Sequence, residues 1–407
     1  MPDRIVIVGA GQAAAQACET LRHRGFKGSI VLVGAEACLP YQRPALSKKY
    51  LAGDLERDRL LIRHAQHYAE HGVETRLGRR ALEIDRPGKR VRLDDGAHLA
   101  YDTLLLATGS RPRKVAIPGA DLGGVHYVRS IADVDALRLE FKPGRRLVVI
   151  GGGYIGLEVA ATCRQLGIEV TVLETAERLM KRVVCTEISD FYAAEHTRHG
   201  VNVVCNARVT AISPQPGNDR VRSVLCDDGS EHPADFVVVG VGVEAVDELA
   251  TAAGLECSNG IVVDAHCRTA DEFIYAAGDC TSHPSFHAGI RLRLESVDNA
   301  FQQGTTAALN MLGEAASHDK VPWFWSDQFD LKLIIVGLNA GHDMTITRGT
   351  VASRSFSVCY LRGGEMIAID TVNSVKDQMA ARKLIGTGFR PHPEKLVDSS
   401  IALKDCL

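Results

Sequence analysis

Apolar runs of strand length alternate with polar turns and helical patterns, and the opening set of elements occurs twice. Residues 4–8 (Arg-Ile-Val-Ile-Val) are an almost unbroken β-branched run, which predicts a strand buried on both faces. A glycine-rich turn follows, then an alanine-rich helical pattern over Gln12–His23 and a second apolar run at 29–33 that ends near Glu36. The stretch 37–60 is loop-rich, with Pro40, Pro44 and a short helix around 47–51. Short strands are expected through 73–106, ending in a buried run at 103–107. The stretch 111–124, with two prolines, reads as a linker. At Arg146–Ile150 the opening pattern returns: apolar run, glycine turn, helix over 156–165, apolar run at Glu169–Leu173, then Glu174. Two βαβ units are therefore predicted. Strands continue through 201–235, with a buried strand at 236–243, a strand within 269–280 that ends in an exposed Asp279, and a helix at 299–312. From Val321 the texture is β-branched and aromatic and closes on a helix near Val375–Leu384, which predicts a separate α+β domain.

Each repeat carries a phosphate-type loop. Gly9-Ala-Gly-Gln-Ala-Ala14 and Gly151-Gly-Gly-Tyr-Ile-Gly156 begin 142 residues apart. Glycine permits the tight turn and a close approach to a pyrophosphate, and the following helix N-terminus offers free N–H groups. One such loop is a weak signal, but two point to two dinucleotides and electron traffic between them. Ala14 takes the place of the third glycine, an accepted variant. An acid at the end of the second strand would hold a ribose. Glu174 lies 23 residues after Gly151 and fits; Glu36 lies 27 after Gly9, slightly late, and a plain turn residue is its alternative. A carboxylate at Glu174 favours NADH over NADPH. Asp279 suits a ribityl hydroxyl, with a helix N-cap as the alternative.

Length and charge narrow the class. At 407 residues two to three domains are expected, and a net charge of −3 gives no sign of a nucleic-acid binder. No apolar run is long enough for a bilayer. With no basic–apolar leader, the expected location is the cytoplasm. The eleven cysteines (18, 38, 163, 185, 205, 226, 257, 267, 280, 359 and 406) include no Cys-x-x-Cys and no metal-type spacing, so buried free thiols are expected and any iron–sulfur centre belongs to a partner.

Several longer stretches carry a resemblance: Leu39-Pro-Tyr-Gln-Arg-Pro-Ala-Leu-Ser-Lys48, Leu105-Leu-Ala-Thr-Gly109, Val149-Ile-Gly-Gly-Gly-Tyr-Ile-Gly-Leu-Glu158, Ala276-Ala-Gly-Asp279, Glu295-Ser-Val297 and Pro322-Trp-Phe-Trp-Ser-Asp-Gln328. Together they resemble the FAD-dependent pyridine nucleotide reductases of the putidaredoxin reductase type, which pass electrons from NADH to a [2Fe–2S] ferredoxin serving bacterial oxygenases. The resemblance implies an α/β fold with two Rossmann-like, glutathione reductase-like domains and a C-terminal α+β domain. Residues 1–113 with 246–320 would bind FAD, 114–245 would bind NAD, and 321–407 would form the third domain. It also implies roles. Gly9, Gly11, Ala13 and Ala14 would approach the FAD pyrophosphate. Arg43 and Lys48 would reach the flavin, Ala81 the adenosine, and Thr108 and Arg129 the FAD groove. Asp279 would hold the ribityl chain, and Val297 would present backbone to the ring. Gly153, Ile155, Gly156 and Glu174 would hold NADH, Glu158 would lie beside the nicotinamide, and Trp325 would shield a flavin face.

The sequence departs from that pattern in two places. An acid is usual at Ala35, and a Pro-Asn pair is usual after Gly242, where Val243-Glu-Ala-Val-Asp247 stands instead. Related disulfide reductases need two cysteines five apart beside the flavin, and NADH oxidases or peroxidases need one after Leu-Ser. Here Leu46-Ser47 is followed by Lys48. The expected path is a hydride from NADH to FAD, then single electrons to the ferredoxin, with Lys48 stabilising reduced flavin. A structural ion pair with Glu158 is the alternative for Lys48, and core packing is the alternative for Trp325. Basic residues Arg63, Arg291, Arg293, Lys332, Arg382 and Lys383 are docking candidates for an acidic ferredoxin, or ordinary surface charges. A monomer is expected. An apoptosis-inducing-factor-like flavoprotein and an NADH oxidase or peroxidase are the other readings.

Overall fold

The computed structural model describes residues 2–407. They form two compact units: residues 2–42, 58–111 and 244–324 in one, and 43–57, 112–243 and 325–407 in the other.

The first unit is built on a parallel sheet in the order Ile274–Ala276, Thr103–Leu106, Arg4–Val8, Ser29–Gly34, Val73–Leu77. Alternate side chains serve opposite faces, as the pleat requires. Ile5, Ile7, Leu32 and Leu105 pack with the helices Gln12–His23 and Val297–Met311. Val6, Val8, Val31, Leu104 and Leu106 pack toward the three-stranded antiparallel layer Ala81–Asp85, Arg90–Leu93, His98–Ala100. Both faces are covered, which is why these strands read as continuous apolar runs. The two helices approach closely because their contact is made of small residues. A Cβ on Gly304 would fall 2.5 Å from the Ala13 carbonyl oxygen.

The second unit repeats the architecture. Its parallel sheet runs Asn202–Val204, Glu169–Leu173, Arg146–Ile150, Phe236–Val239, Val125–His126. Val148, Ile150, Val237 and Val239 pack on the meander Val209–Pro214, Val221–Cys226, Glu231–Pro233. The C-terminal segment adds a five-stranded sheet in the order Trp323–Gln328, Leu331–Gly337, Glu365–Val372, Ser355–Arg362, Met344–Thr350, with the helix Val375–Leu384 against it. Arg348, 2% exposed, pairs with Asp377 at 3.0 Å and donates to the carbonyls of Leu396, Asp398, Ser399 and Ile401, which ties down the chain end.

Several expectations change. Segment 43–57 groups with 112–243, its short helix Lys49–Ala52 packing on Ile131–Arg138 and Tyr154–Gln165, and the C-terminal segment joins them through bonds such as Ser326–Glu158, Gln328–His196 and Tyr360–Cys185. The run at 236–243 is two strands, Phe236–Val239 and Val243–Ala245, divided at Gly240 and Gly242, the latter at φ +102°. Asp279 is half-buried rather than exposed, and no helix follows it: the chain enters the strand Thr281–Ser285, so the N-cap reading fails. Several helices were not foreseen, among them Ile131–Arg138 and Thr186–Arg198. Ile131–Arg138 starts in a capping box between Ser130 and Asp133. Thr186–Arg198 buries Ile188, Phe191, Tyr192, Glu195 and His196 at helical spacing, with an acid and a histidine in apolar positions.

Candidate active site

Both glycine loops sit at the carboxyl ends of their parallel sheets, where open α/β folds bind ligands. In the first unit Gly9 has φ +113°, and a Cβ there would lie 2.0 Å from the Ala107 carbonyl oxygen, so only glycine fits. Gly11 is the N-cap of Gln12–His23, with no side-chain cap and no acid in the first turn. A Cβ on it would meet nothing within 4 Å. The second unit is alike. Gly151 has φ +107° and abuts Gly240; a Cβ on Gly156 would lie 2.2 Å from the Gly151 carbonyl oxygen. Gly153 caps Tyr154–Gln165 by backbone alone, and a Cβ there would also meet nothing. Neither helix start carries a side-chain cap, so each leaves its first N–H groups to a ligand and fits a dinucleotide pyrophosphate.

The remaining candidates of the first unit follow the same sheet edge. Glu36 lies two residues beyond Ser29–Gly34, half-buried, and accepts from the Tyr41 hydroxyl at 2.7 Å. Thr108 follows Thr103–Leu106 and donates to the Val246 carbonyl at 2.5 Å. Asp279 follows Ile274–Ala276 and accepts from the Ser110 hydroxyl at 2.8 Å. Ala81 opens the strand after Val73–Leu77, and Val297 opens a helix capped by Ser296.

In the second unit Glu174 follows Glu169–Leu173. One carboxylate oxygen accepts from the Gly152 N–H at 2.6 Å and the other from the Ala176 N–H at 2.8 Å, so the acid braces its own glycine loop. Ile155 is 41% exposed at the helix start, as a ligand-facing side chain would be. Arg43 donates to the Arg129 carbonyl at 2.7 Å, which brings those two candidates together.

A buried polar cluster of this unit surrounds Glu158, which is 3% exposed. Its Oε2 accepts from Lys48 Nζ at 2.7 Å and from the Ser47 hydroxyl at 2.5 Å; its Oε1 accepts from the Ser326 hydroxyl at 2.7 Å. The expected Lys48–Glu158 pair is thus formed, and Thr162 anchors the segment by donating to the Ser47 carbonyl at 3.0 Å. Ser326 and Gln328 point inward from Trp323–Gln328, while Trp325, half-buried, occupies the opposite face of the strand. Sequence reasoning missed Ser47, Ser326 and Gln328. Their signal was polar residues at alternate positions of an aromatic strand, and a serine beside the expected lysine.

No cysteine takes part in this cluster. All eleven cysteines are free, and burial raises Cys18 to about 12, Cys185 to about 11 and Cys359 to about 12. Several docking candidates already have partners, and Arg63 lies 3.4 Å from the Glu19 carboxylate. Arg291 donates to the Val263 and Ser282 carbonyls at 2.8 and 2.6 Å, and Arg293 pairs with Glu295 at 2.7 Å. Among the described residues no group of three or more His, Cys, Asp or Glu is placed to hold a metal ion, and no helix is long and apolar enough to cross a membrane.

Comparison with known proteins identifies this pair of glycine-loop sheets. A profile described as pyridine nucleotide-disulphide oxidoreductase matches residues 3–304, and one described as reductase C-terminal matches 323–407. The chain belongs to the pyridine nucleotide-disulphide oxidoreductases. Within that family it is 45% identical to the ferredoxin–NAD(+) reductase component of the anthranilate 1,2-dioxygenase system of Burkholderia cepacia, covering 100% of this chain and 99% of that protein. It is 42% identical to rhodocoxin reductase of Rhodococcus erythropolis, covering 98% and 93%. The covalent putidaredoxin reductase–putidaredoxin complex superposes with a TM-score of 0.96 at 39% identity, covering 99% and 97%. As a member, the protein uses a flavin and a pyridine nucleotide. The family's disulfide chemistry, however, has no cysteine after Leu46-Ser47 to work with, because Lys48 stands there.

Proposed function

We propose that the protein is an NADH-dependent ferredoxin reductase with bound FAD. It would pass single electrons to a [2Fe–2S] ferredoxin that supplies a bacterial monooxygenase or dioxygenase. The observation that carries this is the buried Lys48–Glu158 pair where relatives that reduce disulfides or peroxides need a thiol. Full-length relatives named as ferredoxin reductases and the complex with putidaredoxin support the same partner. Free cysteines throughout fit a reducing cytoplasm.

FAD, when bound, supplies the exchange between two-electron and one-electron chemistry. The protein's own part is to bind, orient and compensate charge. The first unit offers Gly9, Gly11 and the helix Gln12–His23 to the FAD pyrophosphate, and Asp279 to the ribityl hydroxyls. Gly153, Gly156 and the helix behind them receive the NADH pyrophosphate. Glu174 takes a ribose and disfavours a 2′-phosphate by charge. Glu158 accepts a hydrogen bond from the nicotinamide carboxamide and fixes the ring for hydride transfer. Lys48 supplies positive charge where reduction adds negative charge. No side chain acts as a nucleophile.

The test is anaerobic reduction of cytochrome c by NADH and the flavin-loaded protein, with and without a [2Fe–2S] ferredoxin from a related oxygenase system. A strong dependence on the ferredoxin is expected. In a parallel assay with oxygen or peroxide as the acceptor, rapid NADH oxidation unaffected by ferredoxin would support the oxidase reading instead.

A further inference from the structure

Glu158 is the end of a longer chain of buried polar groups. Ser326 Oγ, which donates to Glu158 Oε1, accepts from Gln328 Nε2 at 3.1 Å, and Gln328 Oε1 faces His196 Nε2 at 2.9 Å. Ser326, Gln328 and His196 are all 0% exposed. They come from two elements distant in sequence, the strand Trp323–Gln328 and the helix Thr186–Arg198.

The direction of every bond in this chain follows from its far end. His196 Nδ1 is buried with no hydrogen-bond partner. A proton placed there would be a buried donor left unmade, so the proton of the neutral ring sits on Nε2. Burial lowers the His196 pKa to about 4, which keeps the ring neutral. His196 Nε2–H then donates, the Gln328 carbonyl oxygen must accept, and the Gln328 amide turns its N–H to Ser326. The Ser326 hydroxyl, already accepting, has its proton free for Glu158. A flipped Gln328 amide would need the opposite histidine tautomer and would draw the Ser326 proton away from the carboxylate.

We infer that His196, Gln328 and Ser326 form a one-way donor chain that positions the Glu158 carboxylate for the nicotinamide. The inference rests on the role of Glu158 given above. A carboxylate has about four acceptor positions. Lys48, Ser47 and Ser326 fill three, on both oxygens, so the group cannot rotate without losing a bond, and one position remains for an incoming N–H. The carboxamide of a reduced nicotinamide supplies such a donor. The C-terminal segment, which carries Ser326 and Gln328, thereby sets the aim of a residue on a helix of the nucleotide-binding fold. His196, Gln328 and Ser326 are positioning residues, and none of them need touch substrate.

Two readouts on the flavin-loaded protein test the chain. In stopped flow under anaerobic conditions, Ser326→Ala should lower the limiting rate of flavin reduction by NADH about tenfold, with the NADH dissociation constant changed by less than about twofold. In a Glu158→Gln background the same change should alter the rate by less than about twofold, because the bond it served is already altered. Gln328→Met should act in the same direction as Ser326→Ala and guards against a folding defect in either variant. Separately, long-range 1H–15N spectra of 15N-histidine protein, assigned with His196→Gln, should show His196 as the neutral Nε2–H tautomer. A wild-type rate in Ser326→Ala beside a slow Glu158→Gln overturns the chain alone. So does an equal effect of Ser326→Ala in both backgrounds, or an Nδ1–H or charged His196. A wild-type rate in Glu158→Gln overturns the role of Glu158 and the chain with it.

Discussion

Replacing Lys48 by methionine isolates the energetic cost of the central pair. Methionine keeps the length of the side chain and removes the charge. Glu158 is 3% exposed, and the Lys48 side chain is 16% exposed, so the carboxylate cannot turn to bulk water for compensation. Breaking a buried ion pair costs about 3–5 kcal/mol. Here the Ser47 and Ser326 hydroxyls remain on the carboxylate, which puts the expected loss below that range, at about 2–3 kcal/mol. For a unit of this size that is a fall of about 4–6 °C in the midpoint of thermal unfolding. The diagnostic part is the second substitution. Glu158→Gln needs no counter-ion, so adding it to Lys48→Met should recover about half of the loss, a coupling of about 1–2 kcal/mol. Thermal and urea unfolding followed by circular dichroism on all four proteins give the cycle. Additivity within about 0.5 kcal/mol would refute the claim that these charges compensate each other in a desolvated site.

Further predictions concern pH, backbone and nucleotide choice. Asp370 is fully buried and burial raises it to about 7 from 3.8, so between those values the folded state holds more protons than the unfolded one and stability falls as pH rises. Asp370→Asn should raise the unfolding midpoint at pH 8, by at most about 4 kcal/mol equivalent, and flatten the decline from pH 5 to 8; an unchanged profile would remove Asp370 as its source. His196, lowered to about 4, and His318, lowered to about 4, act oppositely: the unfolded state binds their protons first, so acid below about pH 6.5 destabilises. Gly156→Ala sets a Cβ 2.2 Å from the Gly151 carbonyl oxygen and should raise KM for NADH about tenfold or more while the bound flavin spectrum persists, since its clash lies in the second unit's loop. Glu174→Ala should raise KM for NADH about tenfold and for NADPH much less; equal rises would assign Glu174 to loop bracing alone.

The repeated βαβ pattern was legible because period and punctuation agreed: Arg4–Val8 and Arg146–Ile150 are buried on both faces, and glycine is required at Gly9 and Gly151 by positive φ. The Lys48–Glu158 pair was reachable only through the resemblance, since nothing in residue spacing brings positions 48 and 158 together. The donor chain behind it was not legible. Ser326 and Gln328 read as polar residues of an aromatic strand, and His196 interrupted the apolar stripe of a helix that went unpredicted for that reason. Local pattern reveals elements, whereas a buried polar network depends on which elements meet. Likewise the carbonyl partners of Arg291, Val263 and Ser282, could not be read from the sequence.

The central claim is that electrons enter and leave by the flavin with no thiol store. Anaerobic titration of the flavin-loaded protein with NADH tests it most directly. One equivalent of NADH per bound FAD should complete the reduction, and thiol-alkylating reagents should leave that end point unchanged. An end point near two equivalents, abolished by alkylation, would reveal a redox-active cysteine and contradict the account.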